Sequence, residues 1–408
     1  MKILIVSQYF PPEPELKISG LARGLVKLGN EVEILTGYPN YPKGKFYDGY
    51  KIRFSLKEDY EGATVHRLPL IPDRNRNAFW RVANFLSFMI SVLFIGPFLI
   101  KKPDIIWVYN PPLTLGIPAS FMSFLFRAPL VVEIQDMWPE TLQATGFVDN
   151  KLILKIIDLL GKFQYKVASA ITVISEGFKN NIESKGVDSS KVFVIENWAY
   201  EQESFTDEIN YTLAKEKGLD GKFNILYAGN MGSAQGLSNL IDAAKILEDL
   251  DSIQFVLLGS GIEESILKEM SQRYGLSNVI FLGRLPMDMM ASMYSLADAL
   301  LVHLTDDPLF EITIPGKTQS CLLSGKPVIA SVNGDAANLI EKAEAGFTAK
   351  AMNPASLATA VKKLYNLSEI ERNQMGLRGR EYYFKNLSPT VQVKKYQELF
   401  EDILNIKG

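Results

Sequence analysis

Short, almost uninterrupted apolar runs recur along this chain, each followed by a stretch of helical periodicity, and that alternation restricts the fold more than any other feature. A strand that is apolar on both faces must be covered on both, which requires a parallel sheet with helices on either side. The first series runs from Lys2 to Ser7, then Val32 to Thr36, Ile105 to Tyr109, Leu130 to Ile134, Ala170 to Ile174 and Val192 to Ile195. A polar stretch with Glu201, Glu203, Asp207 and Glu208 interrupts it. The pattern restarts at Asn224 to Ala228 and continues through Gln254 to Leu258, Val279 to Leu282, Ala299 to Val302 and Pro327 to Ala330. The expected architecture is α/β, with two doubly wound domains facing across a cleft. Residues 1–200 form the first, 201–221 a linker and 222–388 the second, and a helix over 389–408 packs back on the first domain.

The 408 residues are enough for two domains of ordinary size. A net charge of -3 gives no reason to expect nucleic acid. The single cysteine, Cys321, excludes an internal disulfide and fits a reducing compartment. His66 and His303 lie far apart, so a metal site built on His or Cys is not expected. The apolar run after Lys2 is too short for a signal peptide and prolines follow it. The protein is therefore expected to begin at Met1 and stay on the cytoplasmic side.

Val82 to Ile100 is the most apolar stretch, preceded by Arg74, Arg76 and Arg81 and followed by Lys101 and Lys102. Basic residues at both ends lack the asymmetry of a spanning helix, and Asn84, Ser87 and Ser91 interrupt it. Two readings compete: a buried helix packed on the sheet, and a helix lying in the membrane interface with its flanks on anionic head groups. A membrane span is the third. Phe121 to Arg127 adds a second aromatic-basic patch.

Three glycine-bearing turns follow strands of the second series. Pro315 and Gly316 break the chain before Lys317, and a helix can start at Thr318 and end at Gly325. A helix N-terminus presents free N–H groups and about half a positive charge, which suits an anion. The alternative is an ordinary loop-helix-strand connection. Gly229 to Gly236 and Leu258 to Ile262 are the other two turns, where missing side chains let backbone approach a ligand. In the first series, Asp136 beside Trp138 follows a strand. An aromatic face stacks on a sugar and a carboxylate accepts from its hydroxyls. A helix-capping Asp with a packed Trp explains the same residues equally well. Asn110 and the loop from Tyr9 to Glu15 stand at the same sheet edge.

Tyr9 to Glu13, Thr36 to Pro42, Tyr109 to Leu113, Gln135 to Glu140, Gly229 to Gly232 with Gln235-Gly236, and Pro315 to Lys317 with Gly325 to Val328 carry a resemblance spanning nearly the whole chain. The sequence resembles retaining glycosyltransferases of family 4, in the branch that builds bacterial surface polysaccharides and includes transferases of N-acetylated fucosamine and related sugars. The resemblance implies a GT-B fold, a UDP-linked sugar donor on the second domain, an acceptor on the first, and no cofactor or metal. It also implies a lipid-linked glycan acceptor in O-antigen, capsule or exopolysaccharide synthesis, with the protein held peripherally at the inner face of the membrane. Glu13, Asn110 and Trp138 are the residues it implies for the acceptor. Gly229, Asn230, Gln235, Gly259, Arg284, Pro315, Gly316, Thr318, Gln319, Ser320 and Asp335 are those for the donor.

The sequence departs from the wider family at the charges. Asn230 and Gln235 stand where an Arg and a Lys neutralise the diphosphate, and Ile312 and Ser320 where two Glu residues are usual. Lys317 and Arg284 remain as cations and Glu311 as the nearest acid, so Lys317, Glu311 and Asp136 are the candidate catalytic groups. The expected mechanism is departure of the nucleotide diphosphate, stabilised by helix N–H groups and Lys317. The acceptor hydroxyl attacks from the same face and its proton moves to a phosphate oxygen or to Asp136. The missing charges keep two alternatives open: a nucleotide-sugar epimerase of the same fold, and a non-catalytic protein that binds a nucleotide sugar or helps assemble a membrane complex.

Overall fold

A computed structural model describes the chain apart from residues 74–77, 145, 147, 149, 200–205, 207 and 406–408. It divides into two compact units, Met1–Glu196 with Pro389–Gly408, and Asn197–Ser388.

The first unit is built on β1 (Lys2–Val6), β2 (Glu31–Gly37), β3 (Leu56–Tyr60), β4 (Ala63–Leu68), β5 (Ile105–Asn110), β6 (Leu130–Ile134), β7 (Ala170–Val173) and β8 (Val192–Val194). Their spatial order is β3-β4-β2-β1-β5-β6-β7-β8. β3 pairs antiparallel with β4, and the other neighbours are parallel. The order reverses between β1 and β5, and the loops leaving such a reversal splay apart at the carboxyl edge. The helices used below are α1 (Leu16–Lys27), α2 (Ala78–Phe94), α3 (Gly116–Phe126) and α4 (Lys151–Val167).

The hairpin β3–β4 is not apparent in the sequence, because β4 carries His66 and Arg67 where an apolar run would signal a strand. Both are buried. Arg67 stays inside because Glu58 lies 2.5 Å from it and its guanidinium also donates to Gly37 O and Pro11 O.

The expected helix over 82–100 is two helices. α2 stops at Phe94, and Pro97 sits in the first turn of a short helix Gly96–Leu99. Nor is α2 a buried helix. Its inner side is mixed: Phe88 and Val92 are fully buried, Asn84 accepts from Gln8 and donates to Ile71 O at 2.7 Å, and Ser91 donates to Pro69 O at 2.6 Å. Its outer side carries exposed Phe79, Val82, Leu86, Ile90 and Phe94. The polar interruptions Asn84 and Ser91 therefore lie on the packed side with Phe88 and Val92, while a second apolar row stays outside. No described helix is long and apolar enough to cross a membrane. Arg74 and Arg76, two of its expected basic flanks, lie outside the described residues.

The second unit contains β9 (Phe223–Asn230), β10 (Ile253–Ser260), β11 (Val279–Gly283), β12 (Ala299–His303), β13 (Val328–Ser331) and β14 (Gly346–Ala349), in the order β11-β10-β9-β12-β13-β14. All neighbours are parallel. The reversal falls between β9 and β12. Its relevant helices are α5 (Ser238–Ile246), α6 (Lys317–Ser324) and α7 (Asp335–Lys342). Part of the run expected as a linker over 201–221 is folded into this unit. Asn210 caps a helix Tyr211–Glu216 by accepting from Leu213 N at 2.9 Å, and Leu213, Ala214 and Leu219 are buried in the core. The acidic composition upstream hides this short apolar face.

The C-terminal helix Pro389–Asn405 belongs to the first unit and is fixed there by one buried carboxylate. Glu133 of β6 is fully buried. Lys17 Nζ of α1 lies 2.6 Å from it, Tyr396 Oη of the C-terminal helix donates to it at 2.6 Å, and Thr172 of β7 and Gln135 donate as well. Gly24 of α1 lets the helix come close, since a Cβ there would sit 2.7 Å from Val393. Removing Glu133 leaves a buried ammonium without its counter-charge, which typically costs about 3–5 kcal/mol. Glu133→Ala is thus expected to lower the first unit's melting temperature sharply. Lys17→Met with Glu133→Leu should recover most of the loss, and thermal denaturation of the three proteins checks it.

Candidate functional site

The carboxyl edge of the second sheet gathers the glycine turns at its reversal point. Gly229, at φ +153° near the end of β9, carries no side chain, and Lys317 fills that space. A Cβ there would stand 2.8 Å from Lys317 Nζ. The ammonium donates to Tyr227 Oη at 2.7 Å and lies 3.9 Å from the centre of the Tyr227 ring. Tyr227 Oη in turn donates to Asn230 O at 2.6 Å. Gly259 at the end of β10 packs against Gly229, its missing Cβ replaced by Gly229 O. The next glycine, Gly261, meets Met231 O in the same way. A larger residue at Gly259 or Gly261 would displace backbone, and one at Gly229 would push the Lys317 ammonium aside.

Lys317 opens α6, with Gly316 as the preceding residue. Thr318 N donates to Pro315 O at 2.8 Å. With its amide oriented to satisfy its neighbours, buried Gln319 donates to Gly316 O at 2.9 Å and Pro315 O at 3.1 Å. The loop is therefore braced from within the helix. Buried Thr318 Oγ1 has no partner among the described residues. Burial pushes the Lys317 ammonium down to about 8. Among the described residues no carboxylate lies within salt-bridge distance of it, so this charge is met by a phenol oxygen and a π face, and the positive end of α6 adds to it rather than offsetting it.

The loop after β9 is fixed by a residue that sequence reasoning passed over. His303, at the end of β12, is fully buried. Its Nδ1 stands 2.6 Å from Gln235 O and must donate, while Nε2, 2.8 Å from Asn239 Nδ2 of α5, accepts. Thr305 N donates to Ala234 O at 3.0 Å. A histidine directly after an apolar strand that follows a glycine-loop strand was the available signal.

The other expected donor residues divide. Asn230 is exposed at the turn, donating to Gln235 Oε1 at 3.4 Å, and Gln235 Oε1 also accepts from Gly232 N at 3.1 Å. Gln235 is thus a brace within its own loop. Ser320 is half-buried on α6, and Asp335 begins α7 after Gly334. Gly334, at φ +70°, lies against Glu311 O. It is the backbone of Glu311 that packs here, and its carboxylate is solvent-exposed. Arg284 is exposed just beyond the edge strand β11, and β10 separates that strand from β9.

In the first unit, Asp136 follows β6. Its carboxyl is raised by burial and has no hydrogen-bond partner among the described residues, which suits a proton acceptor. Trp138 is half-buried beside it. Asn110 is buried, donating at 3.5 Å to Gln164, and its Oδ1 is unpartnered among the described residues. Glu13 corrects an expectation. It is buried and accepts from Asn40 N at 2.7 Å, Tyr41 N at 2.8 Å and Phe10 N at 3.2 Å. Both its oxygens accept from backbone and so join two loops at the sheet edge. Among the described residues, no group of three His, Cys, Asp or Glu side chains is arranged to hold a metal ion.

The His303 contacts set a pH dependence. Burial lowers the imidazole from 6.5 to about 4. A depressed folded-state value gives stability that is complete above pH 6.5 and lost as pH falls through 4. The amount is on the order of 3 kcal/mol. Denaturation of the wild type between pH 7 and pH 4 should show this loss, and His303→Gln should flatten it.

Residues 14–198 match the family described as glycosyl transferase 4-like domain, and residues 212–382 the family described as glycosyl transferases group 1. WcaI of Escherichia coli (strain K12), named as a colanic acid biosynthesis glycosyl transferase, is 28% identical over 318 residues, covering 74% of this chain and 76% of its own. WbjE of Pseudomonas aeruginosa, named as a glycosyltransferase, is 21% identical over 79% of this chain and 80% of its own. Among solved structures, HepE of Anabaena in complex with UDP superposes with a TM-score of 0.72 at 17% identity, over 98% of this chain and 100% of that one. Sucrose-phosphate synthase of Thermosynechococcus elongatus gives a TM-score of 0.74 at 16% identity, over 99% of each chain. The two parallel sheets, the glycine turns at the second sheet's reversal point and these matches place the chain among the family 4 glycosyltransferases of the GT-B fold.

Proposed function

We propose that this enzyme transfers a sugar, with retention of anomeric configuration, from a UDP-linked donor to a lipid-linked glycan at the inner face of the membrane. We assign the product to surface-polysaccharide synthesis: O-antigen, capsule or exopolysaccharide. The observation that carries the reading is Lys317, a partly buried ammonium with no described carboxylate beside it, set against Gly229 at the N-terminus of α6. A desolvated cation among free N–H groups calls for an anion, and a diphosphate supplies one. The choice of UDP is supported by the HepE complexes with UDP and UDP-glucose. The polysaccharide role is supported by the naming of WcaI for colanic acid biosynthesis. An N-acetylated deoxy amino sugar rests on the sequence resemblance.

In this mechanism the leaving diphosphate gains charge as the glycosidic bond breaks. Lys317 and the first N–H groups of α6 stabilise that charge. The acceptor hydroxyl enters on the face the diphosphate leaves. Its proton goes to a phosphate oxygen or to Asp136, whose raised carboxyl favours taking it. No step requires a metal, and a chelator is expected to leave transfer unchanged.

A panel of nucleotide sugars screened by thermal shift identifies the donor, since a ligand stabilises the fold in proportion to the logarithm of its excess over Kd. Lys317→Ala should lower transfer about 100- to 1,000-fold, the range for losing one charge-stabilising donor. Transfer at the wild-type rate would remove Lys317 from this role. Because the ammonium titrates near 8 in the free enzyme, kcat/KM for the donor should fall above that pH.

A further inference from the structure

The outward faces of α2, α3 and α4 form one surface of the first unit, since α3 packs against both others. The exposed apolar row of α2 continues into Phe98, which is 86% exposed. On α3, Phe124 is 85% exposed, with Phe121 and Leu125 beside it. α4 is divided into three sectors by its own periodicity. Leu154, Gly161, Gln164 and Tyr165 face the core. Leu152, Ile156, Leu159 and Phe163 form an exposed apolar line at helical spacing. Next to that line, at the same spacing, run the exposed side chains of Lys151, Lys155, Lys162 and Lys166. Asp158, the helix's one acid, is paired with Lys162 at 2.7 Å.

An uncovered apolar surface over three helices exceeds what scattered surface residues explain. The lysine row indicates what covers it. A groove of about 280 Å³ opens beside that row, lined by Lys162, Lys166, Lys185 and Lys191 with Asp188; Lys162 and Lys185 are paired with Asp158 and Glu140, and Lys166 and Lys191 carry its unpaired side-chain charge among the described residues. Apolar side chains bordered by a continuous cationic row and a basic groove fit a layer that is hydrocarbon within and anionic at its surface. We propose that α2, α3 and α4 dock this enzyme on an anionic phospholipid membrane. The apolar lines enter the acyl boundary, and the α4 lysines and their groove engage head-group phosphates. This deepens the membrane-side reading above and rests on it only for α2, since the α4 row is a separate observation.

Full-length protein is sedimented with vesicles of phosphatidylcholine alone and with about one-third phosphatidylglycerol. Neither preparation contains donor or acceptor, so the result is independent of whether the transfer reading holds. Binding is expected to the anionic vesicles and to be at least about tenfold weaker to the neutral ones. Lys155→Gln with Lys166→Gln should weaken it about 30-fold, at about fivefold per lysine. Phe124→Ser with Phe163→Ser should abolish it. The melting temperature and nucleotide-induced stabilisation of both variants should stay at wild-type values, which separates lost docking from lost folding. Wild-type protein that ignores anionic vesicles, or lysine variants that bind as well as wild type, would overturn the proposal. So would a dimer in solution that the Phe variants dissociate without any vesicle binding, which would assign the face to a second copy.

Discussion

A partly buried ammonium without a carboxylate partner among the described residues organises the second unit. Lys317 is desolvated by its surroundings, and its charge is met there by the Tyr227 phenol and ring. Such a charge is tolerable only where the surrounding geometry is fixed. That accounts for the rigidity around it. Gly259 locks β10 to the Gly229 carbonyl, Gln319 braces the turn before α6, and His303 ties the loop after β9 to the end of β12. Each contact prevents the site from relaxing around the lysine, so the free energy of an arriving anion goes into binding.

The first unit rests on the opposite arrangement, a buried charge fully paired. Glu133 is met by Lys17, Thr172, Gln135 and Tyr396, which come from two helices and neighbouring parts of the sheet. It makes the chain's last helix part of the chain's first unit. Asp136 lies three residues further on, at the sheet edge, and has no such partners among the described residues. The two acids thus differ by environment, one structural and one free to exchange a proton.

The sequence is most legible where a physical requirement leaves one solution. Doubly apolar runs such as Ile105 to Tyr109 have to be covered parallel strands, and the glycines before α6 and after β9 mark backbone crowding. It is least legible where a polar residue is compensated from far away. Arg67 hides β4 because Glu58 and two distant carbonyls neutralise its cost, and Asn210 rescues a helix from an acidic stretch. In α2 the composition is plain but the direction is not. Only the partners of Asn84 and Ser91 show that these polar residues face in, beside Phe88 and Val92. Glu13 and Gln235 stand at the expected edges, yet the Glu13 oxygens and Gln235 Oε1 accept from neighbouring backbone and side-chain groups, which spacing cannot foretell.

The central claim is that Lys317 is the charge that meets the donor diphosphate, and proton linkage measures it directly. Diphosphate binding should raise the ammonium back above its free value near 8. Calorimetric titration of UDP at pH 8, repeated in buffers of different ionisation enthalpy, should show uptake of about half a proton by the wild type. Lys317→Ala should show none. Equal proton uptake by the two proteins would contradict the account.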